Sequence, residues 1–187
     1  MKPLIGVLAH HLNSETVRRV YTQQWDDDDG FDVLTCWGAD MRPGENRFHA
    51  VTRKYQALQQ TFLGGPWDRL LTVENDMLIP PHALASLSRL LDDGADVAYG
   101  LYVWRYQEQH WWNAHPHIAP DDAGVPWFGS LTQYPDDARR LWGQPVVVHG
   151  LGFGCTLFSR AALSAIPFRM SRDDHCCDTT FALDAKD

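Results

Sequence analysis

Hydrophobic positions along the chain switch repeatedly between two periods. Leu4 to Ala9 is an apolar run of strand length; Asn13-Ser14 then offers a helix N-cap, and Val17, Val20, Tyr21 and Trp25 recur at helical spacing. The first unit is therefore a strand followed by a helix. Asp26 to Asp29 and Gly30 break that helix, because four adjacent carboxylates repel one another and sit badly at the negative end of the helix dipole. They read as a solvated loop, with cation binding as the alternative. Phe31 to Trp37 is the next strand, and it leads into a polar turn from Gly38 to Asn46. A second helix follows with Phe48, Val51, Tyr55, Leu58 and Phe62 on its apolar face and Gly64-Gly65-Pro66 as its stop.

Leu70-Leu71-Thr72-Val73 is short and β-prone, as suits a central buried strand, and it ends abruptly in Glu74-Asn75-Asp76. Pro80-Pro81 opens another helix, with Leu84, Leu87, Leu90 and Leu91 as its core face and Asp92-Asp93-Gly94 as its end. Val97 to Val103 is a further strand. The order βαβαβαβ predicts an α/β fold, a mostly parallel central sheet with helices on both faces, and such sheets bind ligands at the carboxyl ends of their strands.

From Trp104 to Gln144 the steady period is lost. Trp111, Trp112, Trp127 and Phe128 in this excursion would serve equally as a platform for a sugar or as a small core under a long loop. Val146 to Val148 returns to strand character, Cys155 to Phe158 follows a glycine-rich stretch, Arg160 to Ile166 is a short helix, and Asp178 to Ala185 begins another. At 187 residues and 44% hydrophobic, the chain fits one domain with a sizeable core, residues 1–103 forming one half and 104–187 the other.

Charge narrows the classes. With 16 Lys and Arg against 24 Asp and Glu, the net charge of -8 has the wrong sign for a protein that grips a nucleic-acid backbone. A local phosphate site survives this argument, since a bound divalent cation reverses the charge of an acidic pocket. No run of 18 apolar residues occurs, so no membrane span is encoded. Cys36, Cys155, Cys176 and Cys177 lack CxxC spacing and disulfide-framework density, which predicts reduced thiols and a cytoplasmic setting.

The acidic turn Glu74-Asn75-Asp76 is the leading candidate for chemistry. Two carboxylates spaced i and i+2 directly after a buried strand can converge on one hard cation if the turn bends them together. Leu70 to Met77 with the Pro80 to Leu91 helix resembles the DxD strand, turn and helix of GT-A-fold glycosyltransferases, the family-2-like nucleotide-sugar transferases. Val97-Ala98-Tyr99-Gly100-Leu101-Tyr102 resembles the strand that follows there. Gly150 to Arg160 resembles that family's glycine-rich acceptor-side segment, and Asp178-Thr179-Thr180-Phe181 its late Glu-Asp-x-x-Phe motif.

The resemblance implies a Rossmann-like GT-A fold and metal-dependent hexosyl transfer from a nucleotide-sugar donor to a saccharide or other hydroxyl acceptor. It implies Mn2+ or Mg2+ held by Asp76 and Glu74, with Ala9, His10, Arg53, Glu74, Asn75 and Asp76 lining the donor site. Asp178 is implied as the base, with Asp173 and Asp174 as neighbours able to compete. Two departures matter. Glu74 replaces the usual first Asp and reaches further, which leaves Asp76 as the principal ligand; Cys177 stands where the late motif has Glu. The family's chain usually continues to a metal-binding His, so the resemblance implies a fragment, or a shell completed by His175, water or a partner chain.

Plainer readings stand beside these. A carboxylate at Asp178 also suits a helix N-terminus, His175 also suits a solvated loop, and Arg53 an exposed helix face. Gly150, Gly152 and Gly154 lack GxGxxG spacing, and close approach to an acceptor or a β-bulge explains them equally. Two functional alternatives also remain. One is a sugar nucleotidyltransferase, disfavoured because His10-His11-Leu12-Asn13-Ser14 stands where its phosphate loop belongs. The other is a carbohydrate- or nucleotide-binding protein without turnover.

Overall fold

The computed structural model describes residues 2–9, 13–25, 30–38, 41–106, 109–112, 114–115, 117–120, 126–129, 145–171 and 176–185. In chain order the elements are β1 (Leu4–Leu8), α1 (Ser14–Tyr21), β2 (Asp32–Cys36), α2 (Arg47–Gly64), β3 (Arg69–Glu74), α3 (Ala83–Asp92), β4 (Val97–Tyr99), β5 (Val103–Tyr106), β6 (Gln109–Trp112), β7 (Ala114–His115), β8 (His117–Pro120), β9 (Pro126–Gly129), β10 (Gly150–Leu151), β11 (Cys155–Ser159), α4 (Arg160–Ala165) and α5 (Cys177–Asp184).

The fold is α/β, built on a five-stranded mixed sheet in the order β2-β1-β3-β11-β4. β1 runs parallel to β2 and β3, whereas β11 runs antiparallel to both β3 and β4. Four strands thus share a direction and β11 opposes them. The α/β sheet with helices expected from the sequence is present, but as a mixed sheet: two of its four pairings are parallel, and β11, lying between β3 and β4, makes the other two antiparallel. Burial explains the placement. β3 and β11 are buried along almost their whole length and take central positions, while β4 has a single buried residue, Ala98, and takes the edge.

Strand alternation divides the core into two layers. Leu4, Leu8, Leu70 and Phe158 face a layer with Tyr55, Leu58 and Phe62 of α2, Leu163 of α4 and Phe181 of α5. Ile5, Val7, Leu71, Val73 and Leu157 face the other, with Val20 of α1 and Leu84 and Leu87 of α3. Helices therefore cover both faces. At roughly 1.5 to 3 kcal/mol for each fully buried large apolar side chain, these layers hold the sheet in place. Gly6 lets α2 come close, since a Cβ there would lie 2.4 Å from Leu58 Cδ2.

Caps fix the helix that matters most for the site. The Asn46 side chain accepts from the backbone N–H of Phe48 and His49, and the His49 side chain accepts in return from the Asn46 N–H, completing a capping box. At the other end the Arg160 guanidinium donates to the carbonyls of Phe62, Leu63, Gly65 and Trp67, so a residue of the glycine-rich segment's far end closes α2.

Three local expectations change. Tyr21 is exposed, and α1 turns Thr16 and Val20 inward instead. Val146 to Val148 forms no strand, and Val147 is 96% exposed. The strand expected from Val97 to Val103 ends at Tyr99, and Val103 begins a separate hairpin with β6. The excursion is built from β5 with β6, β8 with β9, and β7 with β10. Trp111, Trp112, Trp127 and Phe128 lie on β6 and β9, and their use as a sugar platform falls outside the described side chains. Asp26 to Asp29 also lie outside the described residues. None of the four cysteines forms a disulfide. No helix among the described residues is long and apolar enough to cross a membrane.

Candidate functional site

The acidic turn sits at the carboxyl edge of the parallel strands because β3 ends there. Alternation puts Leu70, Thr72 and Glu74 on the α2 side of the sheet and Leu71 and Val73 on the other. Main-chain bonds then lock the turn from three directions. Glu74 N donates to Gly154 O at 3.1 Å, Asn75 N to Leu8 O at 3.2 Å, and Met77 N to Glu74 O at 3.0 Å. The Thr16 hydroxyl adds a bond to Asn75 O at 2.8 Å, tying the turn to the first turn of α1. Glu74 is left half-buried and Asp76 exposed.

Behind Glu74 stands Tyr55. Its hydroxyl donates to Glu74 Oε1 at 3.2 Å, and its ring meets Phe153 edge-on at 5.1 Å and leans on Phe168 at 5.4 Å. Phe181 of α5 joins the same cluster through Phe153, Phe158 and Phe168. That packing seats α5 against the site, with Asp178 in its first turn and half-buried. Asp178 Oδ1 accepts from the Thr179 N–H at 2.7 Å.

Electrostatics register the convergence. Burial first, then the charges of Asp178 and Asp76, push the Glu74 carboxyl up to about 7, and the Tyr55 hydrogen bond only partly opposes them. The same burial and the charge of Glu74 hold the Tyr55 phenol well above its ordinary value, so it remains a donor. The Glu74 carboxyl, raised by burial and by the charges of Asp178 and Asp76, would be relieved by a divalent cation. Oxygen donors of this kind suit Mg2+ or Mn2+. Among the described residues no group of three or more His, Cys, Asp or Glu side chains could hold a metal ion by itself. In the usual Mg2+ arrangement one or two carboxylates share the ion with water and phosphate oxygens, and Glu74 with Asp76 would supply two.

The fold has a parallel among solved structures. No family model matches the chain, and no curated protein does. The crystal structure of A197 from STIV is similar, with a TM-score of 0.65 and 14% identity over 100% of this chain and 78% of that one. The likeness is one of fold.

The remaining expected site residues are distributed unevenly. Ala9 is buried at the end of β1, where its N–H donates to Cys36 O at 3.0 Å and its carbonyl accepts from Lys54 Nζ at 3.2 Å. It contributes backbone to that edge and no side-chain chemistry. Arg53 forms an ion pair with Glu45 in the loop before α2. His10, Asp173, Asp174 and His175 lie outside the described residues. Gly154 has a local explanation, since its N–H donates to the Tyr102 hydroxyl at 3.3 Å and a Cβ there would lie 2.8 Å from that ring. The glycine-rich segment thus braces the acidic turn.

Two residues were passed over in the sequence. Periodicity marks Tyr55 as a core position alone, and Lys54 as a charge with no assigned role. Lys54 lies three positions after Val51 and four before Leu58, a charge on the inward stripe of an amphipathic helix, and that is the signal that would have found it. Burial lowers the pKa of its ammonium.

Proposed function

We propose that the chain transfers a sugar from a nucleoside-diphosphate donor to an acceptor hydroxyl, assisted by Mn2+ or Mg2+. One observation carries this reading: Glu74 and Asp76 of one turn and Asp178 of α5, about a hundred positions later, share one electrostatic environment at the carboxyl edge of the sheet. The strand order supports the location. β2 and β3 flank β1 on opposite sides, so the chain reverses its winding between β1 and β3, where open α/β sheets hold their ligands.

In this reading Asp76 and Glu74 bind the cation and orient the donor diphosphate. The ion, when bound, supplies charge neutralisation to the leaving phosphate oxygen. Asp178 accepts the proton of the acceptor hydroxyl as the new bond to the anomeric carbon forms and the bond to phosphate breaks. Thr179 N–H holds one oxygen of Asp178.

Thermal melts with Mn2+ and a panel of nucleoside diphosphates test the reading. Stabilisation by a diphosphate only in the presence of metal, lost in Asp76→Ala, supports a donor site; no response to any nucleotide sinks it. Stabilisation without donor hydrolysis would favour a binding protein on the same fold.

A further inference from the structure

We infer that Tyr55 is a positioning residue for the cation-side carboxylate, its hydroxyl fixing Glu74 in the orientation that binds metal. The inference rests on the proposed donor site and adds to it a residue that acts through Glu74. Tyr55 is 1% exposed, so its hydroxyl has exchanged water for protein, and Glu74 Oε1 is the acceptor. A buried phenol usually finds such a partner, but this one finds a carboxylate at the end of a strand. A glutamate carries three rotatable bonds, and burial alone does not choose among their rotamers. One oxygen held by a fixed donor leaves the second for a cation and selects one orientation of the group.

The donor is itself rigid. Phe153 and Phe168 hold the Tyr55 ring at centroid distances of 5.1 and 5.4 Å, and Phe153 precedes Gly154, whose carbonyl accepts from Glu74 N. Backbone and side chain of Glu74 are thus referenced to the same short segment. Phe181 packs on that segment as well and lies three positions after Asp178, so the cluster that orients Glu74 also seats the proposed base. A tyrosine serving the core alone would need the ring and not the hydroxyl.

Mn2+ affinity, measured by calorimetry with a nucleoside diphosphate present, separates these roles. Tyr55→Phe keeps the ring and should bind Mn2+ at least about 10-fold more weakly while its near-UV spectrum stays native. Leu87→Ala, a core truncation in the opposite layer that leaves the Tyr55 cluster and its hydroxyl in place, should lose stability but hold Mn2+ within about threefold of wild type. Glu74→Asp withdraws the carboxylate from the hydroxyl, so adding Tyr55→Phe to it should cost little more; this cycle reads the coupling even if one single variant folds poorly. Equal Mn2+ affinity in Tyr55→Phe and wild type, or additive losses in the cycle, overturns the inference and leaves the donor site standing. Wild type that binds no Mn2+ with any nucleoside diphosphate removes the donor site, and the role of Tyr55 with it.

Discussion

The charge of Asp178, in the first turn of α5, raises the proton affinity of Glu74 at the end of β3. A pH dependence follows. Glu74 titrates at about 7 in the folded chain against an ordinary 4.5, so the folded state holds a proton that the unfolded chain has released. Its contribution is fully present below 4.5 and is lost as pH rises through 7. Glu74→Gln should therefore melt higher than wild type at pH 8, by at most about 3 kcal/mol, with the difference vanishing near pH 4. A melt series in metal-free buffer checks this, and a constant difference across pH would count against it.

Asp178→Asn removes one of the two charges acting on Glu74. The folded-state titration of Glu74 should move downward in this variant, so less stability is lost between pH 4.5 and 7 than in wild type. Donor turnover should fall by at least about 100-fold if Asp178 is the base, while metal-dependent nucleotide stabilisation persists. Unchanged turnover would move the base to Asp173 or Asp174.

Arg160 satisfies four carbonyls where α2 ends. Arg160→Ala should cost about 3 kcal/mol or more in urea unfolding, because several part-buried acceptors lose a charged donor together. Lysine lacks the planar fork and should restore only part of the loss. A cost below 1 kcal/mol would show water replacing the guanidinium.

Gly6→Ala tests the contact between β1 and α2. A Cβ 2.4 Å from Leu58 Cδ2 should cost about 1 to 3 kcal/mol by overpacking. Combining it with Leu58→Val should recover part of that loss, giving a non-additive cycle; strict additivity would place the clash elsewhere.

The sequence carried the framework through periodicity and punctuation. Leu70 to Val73 followed at once by Glu-Asn-Asp located the acidic turn, and the α2 stripe from Val51 to Phe62 named the helix behind it. Position in the sheet was less legible. β11 is an apolar run like any other, and nothing local states that it enters between β3 and β4 against their direction. Tyr55 matched the apolar period because its ring is core; only the fold shows where the hydroxyl points. Val146 to Val148 carried strand propensity, but among the described residues no strand pairs with them. The ion pair of Arg53 with Glu45, eight positions earlier in the loop before α2, has no periodic signal in the sequence.

The return of β11 to the centre of the sheet also sets an order of assembly. β4 has no other neighbour in that sheet, and β3 has one side unpaired until Cys155 to Ser159 arrives, some 80 positions later in the chain. A nascent chain that has emerged only as far as Tyr99 carries a sticky strand edge and an acidic turn missing its bond to Gly154. Closure across so long a loop is slow, so vectorial synthesis should yield a single late folding event and not a gradual build from the N-terminus.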